Sequence, residues 1–166
     1  MVTPNINIKG IEGDRIDGGA KRGTNLFHSF QEFNIQQGGQ VYFSNPDGVT
    51  NILTRVTGDN TSNILGTLGV DGKADLFFIN PKGIIFGSEA KLDVQGSFYG
   101  STADSILFNK GFEFTTSDPQ APPLLTVNVP IGLRLAENPG SIQVEGRGHN
   151  INTVSYTHLT LPTNDL

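Results

Sequence analysis

The sequence predicts an all-β chain wound as a parallel β-helix, and three observations carry that prediction. No window of useful length repeats apolar residues at i, i+3, i+4 and i+7, the signature of a helix face. Short β-branched and aromatic runs recur instead, separated by Gly, Asn, Asp and Pro. The composition is turn-dense and weakly charged, with 21 glycines in 166 residues and only 16% charged residues, against the usual quarter. Finally, a strand–turn–strand unit recurs imperfectly. "VYFSNPDGVTNIL" (Val41–Leu53) and "LFFINPKGIIFG" (Leu76–Gly87) each set an Asn-Pro-x-Gly tetrad between an aromatic strand and an aliphatic one. The tetrads begin at Asn45 and Asn80, and "AENPGSIQV" (Ala136–Val144) is a weaker echo. Such repetition suits stacked coils, about six or seven of them at roughly 20 residues each. The competing architecture is a sandwich of hairpins. Hairpins call for two-residue Asn-Gly or Asp-Gly links, and only "VDGK" (Val70–Lys73) resembles one.

In chain order, the expected strands are Ile6–Ile8, Gln40–Ser44, Asn51–Val56, Leu76–Ile79, Ile84–Phe86, Lys91–Val94, Ser97–Tyr99, Ile106–Asn109, Phe112–Thr115, Leu124–Val129 and Ser141–Glu145. Each is a run of β-formers too short for the alternating strands and helices of an α/β fold. "LFFI" and "GIIFG" do not alternate, which implies burial on both faces. Inward residues would fill a lumen, and outward ones need a cover such as an extra hairpin. Between them, the Asn-Pro-x-Gly tetrad describes a type I turn. Asn bonds back to the turn backbone, Pro presets φ, and Gly permits the exit. A corner of this kind sends an apolar strand on into the next sheet instead of folding it back as a hairpin.

Several functions are disfavoured by content. A net charge of −5 argues against a nucleic-acid partner. No run approaches the ~18 apolar residues of a membrane helix. No basic and apolar leader opens the chain, so any secretion signal is expected outside this sequence. The absence of cysteine removes thiol catalysis and zinc–thiolate sites. It also suits a chain that crosses the periplasm unfolded, where a disulfide would lock a loop. His28, in "NLFHSF", reads as a half-buried strand residue, and His149 lies far from it. Asp71 with Asp75, or Asp47 with Asp59, could pair in space as glycosidase carboxylates do, but the lysines and arginines are scattered and tryptophan is absent. "DGKAD" and "GDNTSN" lack a full calcium-loop pattern, and "EGRGHN" lacks G-x-G-x-x-G. No metal, cofactor or catalytic residue is expected.

Longer stretches carry a resemblance. "GTNLFHSFQEFNI" (Gly23–Ile35), "NILTRVTG" (Asn51–Gly58), "ILGTLGVDGKADLFFINPKGIIFG" (Ile64–Gly87) and "LDVQGSFYGSTADSI" (Leu92–Ile106) resemble the two-partner secretion domain. This is the filamentous haemagglutinin N-terminal type, or haemagglutination activity domain, of large bacterial exoproteins. "PIGLRLAENPGSIQVEGRGHN" (Pro130–Asn150) is similar to its closing segment, and the similarity covers about residues 2–152. The family's second motif, Asn-Pro-Asn-Gly-Ile or a near variant, maps on Asn80, Pro81, Lys82, Gly83 and Ile84, with Lys82 a departure. The first, often Asn-Pro-Asn-Leu, maps on Asn45, Pro46, Asp47 and Gly48, whose last two positions differ.

The resemblance implies a right-handed parallel β-helix with an N-terminal cap and extra-helical hairpin strands. It implies a non-enzymatic secretion address and folding nucleus. The partner would be an outer-membrane transporter that reads the module through periplasmic polypeptide-transport-associated domains. The exoprotein would be secreted, or held at the cell surface of a Gram-negative bacterium, by way of the periplasm. Adhesin activity toward glycans or host cells would belong to sequence further along. An adhesive β-helix that itself binds surface glycans, and a β-helix carbohydrate-active enzyme, are the alternatives. The module is expected to occupy residues 1–153. "VSYTHLTLPT" (Val154–Thr163) resembles the translation of a sequencing-library adapter, so residues 154–166 are expected to be a non-native tail.

Overall fold

Most strands form here where alternate side chains can enter a shared lumen. The computed structural model describes residues 1–118, 120, 122 and 129–147, and the backbone of 158–159. The chain is a parallel β-helix of about three turns. Among the described residues there is no α-helix, only a 3-10 turn at Asn109–Gly111.

The first sheet has the order β1 (Val2–Ile8), β2 (Ile11–Ile16), β5 (Gln40–Ser44), β8 (Thr67–Asp71), β11 (Lys91–Asp93). The second runs β3 (Ala20–Arg22), β4 (Asn25–Phe30), β6 (Asn51–Val56), β9 (Asp75–Ile79), β12 (Phe98–Ser101). At its far edge β17 (His158–Leu159) pairs with Tyr99 and Gly100. The third joins β7 (Ser62–Ile64), β10 (Ile84–Phe86) and β16 (Ile142–Val144). Within the coil all pairings are parallel. The cap is the antiparallel hairpin β1–β2, whose edge strand carries Pro4 within an irregularity between Thr3 and Ile6. Proline and a bulge are two devices that deter further pairing at a sheet edge.

Alternation sorts the second sheet into two faces. Leu26, Ile52, Leu76 and Phe78 point into the lumen and pack with Phe43, Leu68, Ile84 and Phe98. Phe27, Leu53 and Ile79 point outward into a second cluster with Ile106, Phe108 and Phe114. The cover is an extra-helical antiparallel sheet, β14 (Glu113–Thr115), β13 (Ser105–Leu107) and β15 (Gly132–Arg134). The non-alternating runs therefore do mark burial on both faces. Each outward Leu or Ile contributes about 1.5–3 kcal/mol by being covered.

Three expectations are corrected. The coil has about three turns, not six or seven. Gln40 stacks on Thr67 and Leu76 on Phe98, so each turn takes up more chain than the expected repeat. The cap and the covering sheet also take chain away from the coil. Next, the interval between the two tetrads is not a coil repeat. The first tetrad joins the first sheet to the second, and the second tetrad joins the second to the third. Finally, "VDGK" is no hairpin link: β8 pairs with β5 and β11, whereas β9 pairs with β6 and β12. The expected strand Leu124–Val129 lies outside the described residues save Val129.

Candidate functional site

Asn80 and Pro81 form the corner between β9 and β10, and Asn80 is fully buried. Gly83 N–H donates to the Asn80 carbonyl at 3.1 Å, closing the turn. The Asn80 Oδ1 accepts from Lys82 N–H at 2.9 Å, the local bond expected of a turn asparagine. Its Nδ2 reaches down to the preceding coil, donating to the Asn60 carbonyl at 3.1 Å and to Ser62 Oγ at 2.9 Å. Ile84 then enters the lumen, fully buried. The side chain thus closes one corner and ties it to the coil beneath.

The same corner carries the next coil. Gly140 N–H donates to the Pro81 carbonyl at 2.8 Å, and Ile84 N–H to the Ser141 carbonyl at 3.1 Å. A Cβ on Gly140 would lie 2.4 Å from the Lys82 carbonyl carbon, closer than such contacts occur. The weak echo in "AENPGSIQV" is therefore the corner stacked on the second tetrad.

The first tetrad has another geometry. Its closing bond runs from Val49 N–H to the Pro46 carbonyl at 3.1 Å, one residue later than expected from the tetrad. Gly48, with φ 81°, occupies the third turn position, where a left-handed backbone suits glycine. Asn45 Nδ2 donates to the Val49 carbonyl at 3.0 Å, and its Oδ1 accepts from Ala74 N–H at 2.9 Å, again linking neighbouring coils. Pro46, Asp47 and Gly48 are exposed, whereas Asn80, Gly83 and Ile84 are buried. The two motifs present different things to a partner: an exposed loop in the first case, and only Pro81 and Lys82 in the second. A polar cleft of about 340 Å³ opens beside Pro81 and Lys82, bounded on its other side by Asp104, Thr116, Ser117 and Ala136, which flank the strands of the covering sheet.

The remaining sequence candidates separate. His28 sits in β4 at 6% exposure, more deeply buried than expected, against Phe43 and Phe30. Burial, and then the Met1 ammonium, hold its pKa down to about 4, so it is neutral near pH 7. Asp75 is engaged structurally, accepting from Ser97 N–H at 2.7 Å, in line with the stacked pair Asn51 and Asn25. Asp59 faces Lys82 at 3.8 Å on the surface. Among the described residues no three His, Asp or Glu groups gather as a metal site. His149 lies outside them.

Arg55 escaped the sequence reading. It is 2% exposed, projects from the outer face of β6, and bonds Ser29 Oγ at 2.6 Å. It also holds the carbonyls of Thr115 at 2.6 Å and Gln120 at 2.5 Å, with its guanidinium 4.2 Å from the Phe114 ring centroid. Burial pulls its pKa below the usual value. The available signal was a lone cation inside an otherwise uncharged strand, "NILTRV".

A family model described as the TPS secretion domain matches residues 5–165. A heme/hemopexin-binding protein of Haemophilus influenzae is 38% identical over 69 residues, which are 42% of this chain and 7% of that protein. The chain thus corresponds to a small part of that relative. No solved structure matches the chain significantly.

Proposed function

The chain belongs to the TPS secretion domain family and is a two-partner secretion exoprotein module, and on that premise we propose that it is the export address and folding nucleus of a longer protein. The family match over nearly the whole chain is the observation that carries this reading. The recognising partner is the periplasmic part of a cognate outer-membrane β-barrel transporter. The periplasm supplies no ATP, so transit draws on binding and folding free energy. An extended segment docks by adding a strand to a sheet edge of the transporter. Once outside, each coil buries apolar surface on the last. The working module is residues 1–153.

Pro46, Asp47 and Gly48 are little committed to the coil, which leaves the first corner free to be selected for what the extended chain offers the transporter, whereas the buried second corner suits coil assembly. Asn45 and Pro46 are the better candidates for recognition, while Asn80, Pro81, Gly83 and Ile84 act by shaping the fold. The test is co-expression with a cognate two-partner transporter, reading the chain in the medium. Release should require the transporter and survive truncation after Thr153. Asn45→Ala with Pro46→Ala should cut release more than Asn80→Ala does while lowering the melting temperature less. Equal release with and without the transporter refutes the reading, and full release of the double variant removes Asn45 and Pro46 from recognition.

A further inference from the structure

The N-terminal cap is tied to the strand farthest from it in the first sheet. Its own packing is thin: of β1 only Ile8 is buried, and of β2 only Ile16. β2 meets the coil over three residue pairs, Asp14–Ile16 against Val41–Phe43. A hairpin that buries so little is marginal by itself. Its tip, however, reaches past β5 to the two strands beyond. Ile8 pairs with Ile11 around a two-residue turn in which Lys9 and Gly10 have φ 53° and 85°, positive at both positions as in a type I′ turn. From there Lys9 Nζ donates to the Val70 carbonyl in β8 at 3.3 Å and to Asp93 Oδ2 in β11 at 3.4 Å.

The same Asp93 oxygen accepts the Tyr42 hydroxyl at 2.7 Å. Tyr42, Gly69 and Asp93 stand on one rung of β5, β8 and β11. A Cβ on Gly69 would lie 2.4 Å from the Tyr42 ring, so the bare glycine lets that ring cross the middle strand toward the third coil. The Lys9 ammonium lies 5.3 Å from the ring centroid, near enough for a cation–π contact. One carboxylate thus gathers the cation of the cap and the hydroxyl of β5. Without Asp93, Lys9 would keep only a carbonyl, and Tyr42, itself 3% exposed, would lose its acceptor. Lys9 and Asp93 are 84 residues apart. Closing so long a loop comes after shorter-range contacts have formed.

We propose that Lys9, Tyr42 and Asp93 form a latch that seals the cap only once the third coil is in place, so that the first strands of the chain are the last to be fixed. In the folded full-length chain, Asp93→Ala should speed hydrogen exchange of the β1–β2 amides at least about tenfold, while β6 amides keep their protection. Lys9→Met should also speed the cap. Added to Asp93→Ala it should do so much less than it does alone, as expected of coupled partners. In refolding of the unaltered chain, followed by pulsed exchange, cap amides should gain protection no earlier than those of β11. Unchanged cap exchange in Asp93→Ala overturns the latch. So do fully additive effects of the two substitutions, equal quickening of the cap and β6, or cap protection that precedes β11.

Discussion

Replacing Asn80 with Ala should cost stability out of proportion to the few atoms removed. The fully buried side chain makes three hydrogen bonds: a buried one to Ser62 Oγ, and part-buried ones to Lys82 N–H and the Asn60 carbonyl. Alanine would leave Ser62 Oγ short where water does not reach and would cut the two part-buried bonds as well. At about 1 kcal/mol per lost bond the penalty is about 3 kcal/mol. For a chain of this size that lowers the melting temperature by about 6–12 °C. In urea, with a slope of about 2 kcal/mol per molar, the midpoint falls by about 1.5 M. Asn45→Ala is the control. It removes one local bond, to the Val49 carbonyl, and one between coils, from Ala74 N–H, both part-buried, so about 2 kcal/mol is expected. Equilibrium urea unfolding of the two variants decides the matter. Should Asn80→Ala unfold with the same midpoint as Asn45→Ala, the corner is not the tie between coils described here.

Two further outcomes follow from buried polar groups. His28 has a folded pKa of about 4 against an ordinary 6.5, so the unfolded chain binds more protons as pH falls. Its contribution is intact above pH 6.5 and shrinks by roughly 3 kcal/mol as pH drops to 4. His28→Leu should flatten that part of the profile of urea midpoint against pH, and an unchanged slope would clear His28 of the effect. Arg55→Met should release the covering segment without opening the coil. Hydrogen exchange at Thr116 N–H, bonded to the Asp104 carbonyl, should quicken at least about tenfold while β6 amides stay protected. Uniform quickening across β6 would contradict the local role.

Much of the coil was legible because its strands are buried on both faces. Gln40–Ser44, Asn51–Val56 and Ile84–Phe86 appear with the expected bounds, since β-branched and aromatic side chains serve lumen and cover alike. What escaped notice is explained by local demands. In β4, read as strand at His28 but not bounded, the inward His28 and outward Asn25 and Ser29 interrupt the apolar signal. In β8, Gly69 lies against the Tyr42 ring, where a Cβ would come within 2.4 Å, so a strand position carries a turn residue. The cap strand β2 and the edge strand β3 hold charged residues on a wet face. The turn count failed because coil length is set by loops that carry no period. The second corner was legible as Asn-Pro-Lys-Gly, yet its partners Asn60 and Ser62 come from another coil and no local pattern announces them.

Ile84 has two stacking partners reached by very different lengths of chain. Ser62 belongs to the strand one circuit earlier, whereas Ile142 is met only after the chain has built the whole covering sheet. The backbone rejoins the same ladder in register after either journey. A detour is therefore free to grow at that bend so long as it returns to the waiting strand, as the one running through β13–β15 does. Such a scaffold can acquire new surface by lengthening one bend while its stacked interior stays as it was.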